Sequence, residues 1–483
     1  MNKHCYRLIF SRTHGELRVV SELARSCSSE PGQRIGSGIT GGSRLWVTVR
    51  RSVWLLGLLM FAGPVMADGI VADGGANPSQ RPEVITTQNG LPQVNITAPN
   101  QAGVSHNQYQ QFDVDAKGAI LNNSAVMTAT QMAGMIQGNP NLNPNSAPAR
   151  VILNEVNSNN PSQLRGFMEV AGGKAQVIVA NPAGIVCNGC GTINAGRMTL
   201  TTGKPQFDKQ GALEALEVKK GGVTIGGKGL DGSGADYVDI ISRATELNGK
   251  INAQNLSLTQ GANRISFKDG SIKPIAGEGA KPQLAVDTKA LGGMYANKIR
   301  LVANENGVGV NLKDLTSKQR DITLSVSGRI ELGNTQAATD LNASAREIHI
   351  SSGVKVRGER DVTMAADTLN NNGNVTAHRD MRVFADTVRN VALRDGDNTA
   401  LHSNNNLWIQ KDAQGNKAKQ IENRSARIQT NSGDLVIRTE NLNNVRQEVQ
   451  AVWKNTPANS KAFNKSLVGS YYDSRQGVDA IVL

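Results

Sequence analysis

Cysteine, histidine and aromatic residues are scarce in this 483-residue chain: four cysteines, six histidines and 4 % Phe, Trp and Tyr. Cys187 and Cys190 form a lone C-x-x-C pair. It cannot supply the four ligands of a structural zinc site, and no histidine neighbours it, since those beyond residue 67 are His106, His349, His378 and His402. A redox role would want a thioredoxin-like βαβ setting, which is absent. Long apolar runs are missing too. The segment VWLLGLLMFAG at 53–63 is too short to span a bilayer, and no later segment approaches the length required. There is no Ser/His/Asp arrangement with a nucleophile elbow and no phosphate-cradling glycine loop entering a helix, because Gly226-Gly227-Lys228-Gly229 runs on into strand-like sequence. The expectation is a protein that is not an enzyme, with no catalytic residues, no metal and no cofactor.

The 53–63 segment reads as the apolar core of a signal peptide. Arg50 and Arg51 precede it, and Val65-Met66-Ala67 supplies a small-residue cleavage pattern with the cut after Ala67. The implied early partners are the inner-membrane Sec machinery and signal peptidase. The leader holds nine Lys and Arg against three acids, so six of the formal +12 leave with it, and 416 residues remain at +6. That charge is mild and has no block of one sign, which describes a solvated mixed surface and gives no support to nucleic-acid binding. Cys5 and Cys27 also leave with the leader.

What the chain has in abundance is turn punctuation. Between residues 139 and 203, apolar runs of three to six residues at 151–153, 175–180, 185–187 and 198–202 are cut by Asn-Pro, Asn-Gly and glycine pairs. From Asn181 to Gly203 the turns fall about every seven residues, which predicts three short strands around one coil. Such a chain is most simply drawn as an all-β, right-handed parallel β-helix with an amino-terminal cap, since an uncovered first rung would present an open strand edge. Residues 130–136 are the one predicted helix, with Met132, Met135 and Ile136 on a shared face as core filler. A carbohydrate-active β-helix would need paired carboxylates or an acidic calcium site on one face. Asp231, Asp236 and Asp239 form the one tight acidic group, and they read as turn residues.

Cys187 and Cys190 stand at positions i and i+3 around Asn188-Gly189. A β-turn holds such Cα atoms within about 7 Å, overlapping the roughly 4.4–6.8 Å that a disulfide needs. The pair reads as a disulfide staple in an oxidising compartment, with a reduced buried pair as the alternative. The closed loop is tiny, so the chain-entropy contribution is only about 2 kcal/mol.

Four segments in order carry a family resemblance: Asn139-Pro140-Asn141-Leu142, Ala180-Asn181-Pro182-Ala183-Gly184-Ile185, Cys187-Asn188-Gly189-Cys190-Gly191 and Leu200-Thr201-Thr202-Gly203. Together they resemble the amino-terminal secretion domain of two-partner secretion exoproteins, which include filamentous haemagglutinins, contact-dependent growth-inhibition exoproteins and haemolysins. The runs 94–114 and 292–296 resemble the first two branches more than the haemolysins, and the long region before the apolar core resembles their extended signal region. The resemblance implies that Asn139, Pro140, Asn141 and Leu142, with Asn181, Pro182, Gly184 and Ile185, are partner-binding motifs. Their partner would be a dedicated outer-membrane pore with periplasmic POTRA domains. It also implies passage through the periplasm of a Gram-negative bacterium to the cell surface or medium. There the chain would serve as an adhesin or as the stalk of a growth-inhibition toxin, facing a host or neighbouring-cell receptor; a cytolysin is the alternative. Ala183 stands where the family has Asn, and Ala lacks the amide and tolerates a left-handed backbone less well.

Beyond residue 312 a repeat emerges. Segments starting at Asp321, Glu347, Asp361, Asp380, Asn406 and Asp434 share a polar-apolar-x-apolar pattern, a mark of stacked coils that resembles haemagglutinin-type repeats. The expected organisation is therefore a signal region over 1–67, a secretion domain over 68–312 and a repeat region over 313–483. That repeat region reads as truncated, with no toxin domain after Asp434.

Overall fold

The computed structural model describes residues 6–11, 16–21, 69–394 and 396–446. The apolar core of the leader, the cleavage position, Cys5, Cys27 and everything past Arg446 lie outside the described residues. The chain divides into two units, Met1–Ala62 and Gly63–Leu483. In the first, Tyr6–Ser11 pairs antiparallel with Glu16–Ser21.

In the second unit the chain winds as a parallel β-helix with three ladders, here A, B and C. One coil shows the plan: Ala175–Ala180 lies in ladder A, Ile185–Cys187 in B and Cys190–Ile193 in C, and Ala195–Thr201 then returns to A beside the first strand. The three strands expected between Asn181 and Gly203 are these last three. Stacking is in register. In ladder A, Val177, Met198, Val238, Leu256, Ile299, Ile322, Leu341, Val362, Met381 and Leu407 occupy one inward column, each paired with the next. All are buried. Because stacked strands lie about 4.8 Å apart, each inward side chain packs on one above and one below. No coil closes a core alone.

The cap is built from two pieces. Ile70–Ala72 runs antiparallel to Val104–Phe112, while Glu83–Thr86 and Pro92–Asn95 form a hairpin whose second strand runs parallel onto Ala119–Asn123 of ladder C. Tyr109 and Phe112, edge to face at 4.8 Å and fully buried, fill the interior at this end.

Two elements stand outside the ladders. Thr128–Thr130 and Gly134–Ile136 form an antiparallel hairpin where the apolar spacing predicts a helix. A helix that short pays nucleation without propagation, whereas the turn has its own chemistry. Gly134 takes φ +65°, and the Thr130 hydroxyl accepts from the Ala133 amide and donates to the Gly134 carbonyl. Of the three residues assigned to the helix face, Ile136 is buried, Met132 is half-buried and Met135 is 62 % exposed.

The second element is an antiparallel sheet of Lys204–Phe207, Leu213–Val218, Asn263–Ser266 and Ile272–Pro274. It covers the outer surface of the early ladder A strands. There Val104, Val151, Leu153, Ile178 and Ala180 pack with Leu213 in a core separate from the coil interior.

From Lys298 onward the coils are regular, and the phase of the repeat needs one correction. Glu347–Ile350 lies in ladder B, and the ladder A strand of its coil is Leu341–Ser344, led by Asp340. The pattern matched both because strands of every ladder alternate inward and outward with the same period of two.

Candidate functional site

The first motif closes the excursion between ladders C and A. Asn139 is buried; its Nδ2 donates to the carbonyls of Ile96 and Asn122, each at 2.9 Å, and its Oδ1 accepts from the Asn141 amide at 2.9 Å. Asn141 Nδ2 donates to the carbonyls of Asn95 (3.1 Å) and Ile96 (3.3 Å). The Leu142 amide bonds back to the Asn139 carbonyl. Both asparagine side chains thus tie the turn to the end of the cap strand Pro92–Asn95. Pro140 and Asn141 stay exposed and Leu142 half-buried.

The second motif makes the corner from ladder A to ladder B. Asn181 is fully buried, donating through Nδ2 to the Asn160 carbonyl (2.9 Å) and the Ser162 hydroxyl (3.0 Å) and accepting at Oδ1 from the Ala183 amide (2.9 Å). Gly184, at φ +125°, donates its amide to the Asn181 carbonyl and presents its own carbonyl to the Ser162 amide. A side chain at that φ would be strained. Ile185 is buried as it enters the next strand, while Pro182 and Ala183 are half-exposed. Ala183 does not adopt a left-handed backbone: among the described residues the non-glycine positions with positive φ are Asn194 and Ser425. The bond at position 183 uses its main-chain amide. Replacing Asn by Ala therefore removes nothing that this turn employs.

The two motifs occupy different corners and are not brought together. The Cys187–Cys190 disulfide forms the next corner after the second motif, from B to C, with Cα atoms 5.3 Å apart, both residues buried and Gly189 at φ +93°.

Beside the second motif lie residues that motif reading missed. A depression of about 420 Å³ is bordered by Pro182, Ala183, Glu155, Asn157, Lys204 and Lys220. Glu155, on ladder A, meets His106 Nε2 at 2.6 Å and accepts from Gln108 Nε2 at 3.1 Å. Burial pushes its carboxyl up, but the hydrogen bonds from His106 and Gln108, with the charges of His106 and Lys204, outweigh burial and hold it below the usual range. The His106 ring also meets Gln80 of the cap at 3.2 Å and lies 4.8 Å from Phe207 of the outer sheet. One imidazole therefore touches cap, coil and outer sheet. A sign of this was present in VILNEV at 151–156, where a carboxylate inside an apolar run requires a partner.

The acidic trio is dispersed in role, and its members are strand residues of Leu230–Ser242, not turn residues. Asp231 accepts from the Ser233 amide and hydroxyl, Asp236 pairs with Lys174 at 3.1 Å, and Asp239 pairs with Arg197 at 2.5 Å. Among the described residues no group of His, Cys, Asp and Glu is arranged to hold a metal ion.

Residues 68–332 match the family described as the TPS secretion domain. The chain belongs to that family. Residues 1–49 of this TPS protein match the extended signal peptide of the type V secretion system. The two matches together indicate Sec export, passage across the periplasm of a Gram-negative bacterium with an outer-membrane partner transporter, and arrival at the cell surface. The TPS chain is 47 % identical over 315 residues to the 16S rRNA endonuclease CdiA of Enterobacter cloacae, covering 65 % of this chain and 9 % of that protein. It is 44 % identical over 357 residues to toxin CdiA of Yersinia pestis, covering 73 % of this chain and 11 % of the relative. For tRNA nuclease CdiA-2 of Burkholderia pseudomallei the identity is 43 % over 346 residues, covering 70 % and 11 %. The chain thus spans about a tenth of the length of these relatives. Among solved structures, the filamentous hemagglutinin secretion domain aligns at 26 % identity and a TM-score of 0.48, over 78 % of this chain and 99 % of that one.

Proposed function

We propose that this chain is the export module and first stalk segment of a contact-dependent growth-inhibition exoprotein. Its organisation is a signal region over 1–67, a secretion domain over 68–312 and a repeat region over 313–483, whose described coils are stacked as far as Val445. The likeness to three CdiA proteins supports the stalk assignment. The nuclease activities in two of those names belong to those proteins, and the present chain serves without a catalytic site of its own. A receptor on a neighbouring or host cell is engaged by the exoprotein it begins.

The observation that shapes the mechanism is burial. Asn139 and Asn181 have their amides turned inward and hydrogen-bonded in the folded coil. A partner can read those amides only before the coils close. The POTRA domains of the outer-membrane pore therefore bind the two motifs on the unfolded chain in the periplasm, and the same amides become turn-forming groups outside the cell. The four-residue disulfide corner at Cys187–Cys190 is local and follows the second motif directly. Each new coil then buries several apolar side chains, at roughly 1.5–3 kcal/mol apiece, against the coil already laid down. Stepwise stacking is downhill and local, so it draws the chain outward without ATP.

The test is export of the full chain with and without a cognate pore, assayed as protease-resistant protein on the surface and in the medium. Pore-dependent appearance is expected. Asn139→Ala and Asn181→Ala are expected to reduce export by more than their loss of stability, measured on refolded protein, accounts for. Unchanged export without the pore would overturn the reading; export that follows stability alone would reduce the motifs to turns.

A further inference from the structure

A cleft of about 650 Å³ runs along the outer surface of ladder A beside the outer sheet. It is a different place from the depression at the second motif. The ladder supplies its floor, and the turn that follows Asn263–Ser266 supplies one wall, with Phe267 and Lys268.

Its charges do not cancel. Asp239 is answered by Arg197, and Lys298 by Asp321 at 3.5 Å. Lys268, Arg300 and Arg320 also line the cleft, are exposed, and among the described residues have no carboxylate within ion-pairing distance; against these three cations the lining sets one further acid, Asp269 beside Lys268, and the charge of Arg300 reaches Asp239 only at longer range, so positive charge stays in excess. The later coils behave otherwise: there Arg360 is paired with Asp340, and Arg379 and Arg382 with Asp361. Free cations collected in a concave site are an anion-binding arrangement.

The floor also carries a ring. Tyr237 is 47 % exposed, with the Arg197 guanidinium 4.6 Å from its centroid. Asn255 pairs with Tyr237 in register on the next rung, and Lys298 follows on the rung after that, in the same strand as Arg300. Tyr237 and Arg300 are therefore two rungs apart, on the order of 10 Å along the stack. Backbone groups of the floor are used in the parallel ladder, so a peptide strand finds no free edge there. The outer sheet's edge strand, Ile272–Pro274, carries a lysine and a proline, residues that blunt strand addition. A ligand must be read by side chains: an aromatic face, an amide and cations spaced along a line.

We propose that this cleft binds an acidic oligosaccharide, with a sugar ring against Tyr237 and carboxylate or sulfate groups on Arg300, Arg320 and Lys268. The site is independent of the export reading. Its test is titration of the full chain with two probes, hexagalacturonate and a heparin-derived hexasaccharide, followed by calorimetry or fluorescence anisotropy. The controls are the neutral methyl ester of the hexagalacturonate and hexaglutamate. At least one acidic saccharide is expected to bind, more weakly as salt rises. Its neutral or purely peptidic counterpart should bind about tenfold less tightly, and Arg300→Ala with Arg320→Ala should weaken binding about tenfold or more. Tyr237→Ala should weaken it several-fold. All three positions are exposed, so the melting curve should not move, and a variant whose melt does move is replaced by Arg300→Gln with Arg320→Gln or Tyr237→Ser. Failure of both saccharides to bind, hexaglutamate binding as tightly, or indifference to the substitutions would each overturn the proposal.

Discussion

The coils before Lys298 and those after it share one lattice and solve the corner problem differently. In the early coils each corner is particular: a buried asparagine at 139, another at 181, a glycine at positive φ, and a disulfide. In the late coils one device repeats. Asp340, Asp361, Asp380, Asn406 and Asp434 precede successive ladder A strands, and each of the first four accepts the main-chain amide of the next, at 2.9–3.3 Å. Arg360, Arg379 and Arg382 neutralise the first two carboxylates. In the late coils the buried Asn371, Asn390 and Asn423 form a column that ends on the exposed Asn444, each of the first three donating Nδ2 to the next Oδ1 at 2.8–3.0 Å. A repeated coil can propagate a shared bond, whereas coils beside a cap must make each bond once. The early region consequently concentrates the single-residue liabilities.

The largest test of this contrast uses one lattice position. Register carries Ile178 through Thr199, Asp239, Ser257, Arg300 and Thr323 to Asn342. Ile178 is buried under the outer sheet, so Ile178→Ala is expected to cost about 2–4 kcal/mol. Asn342→Ala should stay within about 0.5 kcal/mol. Urea unfolding with proteolysis of the 204–218 segment separates them, and equal costs would break the comparison. Next, Asn181→Ala strands the Asn160 carbonyl and leaves Ser162 without its partner, for a loss of about 1–3 kcal/mol by chemical denaturation. Replacing both Cys187 and Cys190 by Ala should lower stability by about 2 kcal/mol, and dithiothreitol should reproduce the shift in the natural chain.

Acid sharpens the comparison from the other side. The hydrogen bond from Arg379, aided by Arg382, holds the Asp361 carboxyl down to about 2. Its folded value lies below the unfolded one, so its contribution is complete above the ordinary carboxylate range and is lost as pH falls toward 2. With allowance for solvent screening, that is about 1 kcal/mol. Asp361→Asn should flatten this acid limb, read as hydrogen exchange of 355–385 between pH 5 and pH 2.5. Glu155, also depressed, gives the same sign in the early coils. The smallest effect is expected for Ala183→Asn, within about 0.5 kcal/mol, because the turn uses only the amide at that position.

Much of the fold was legible because turns are local. Asn-Pro, Asn-Gly and isolated glycines mark corners wherever they stand, and the short apolar runs between them are strands in any context. The two asparagines of the motifs could be placed at turns, yet their inward aim could not be read, since it depends on the carbonyls of Ile96, Asn122 and Asn160 arriving from other segments. Residues 130–136 misled because a helix face and a hairpin can share apolar spacing over so few positions. That Glu155 needs a partner could be read from its apolar run, but not which partners, because His106, Gln108 and Lys204 are remote in sequence and on other segments.

The sequence by itself determined an all-β chain with a leader, a coil-length rhythm, two Asn-Pro turns and a cysteine pair at turn spacing. Tertiary structure alone decided which strands enter the coil and which form the outer sheet, that the repeat at Glu347 belongs to ladder B, and that free cations gather beside Tyr237. The reason is the period of two. Alternation marks two faces of every strand, and only the neighbour laid against each face decides which is core, which is surface and which lines a cleft.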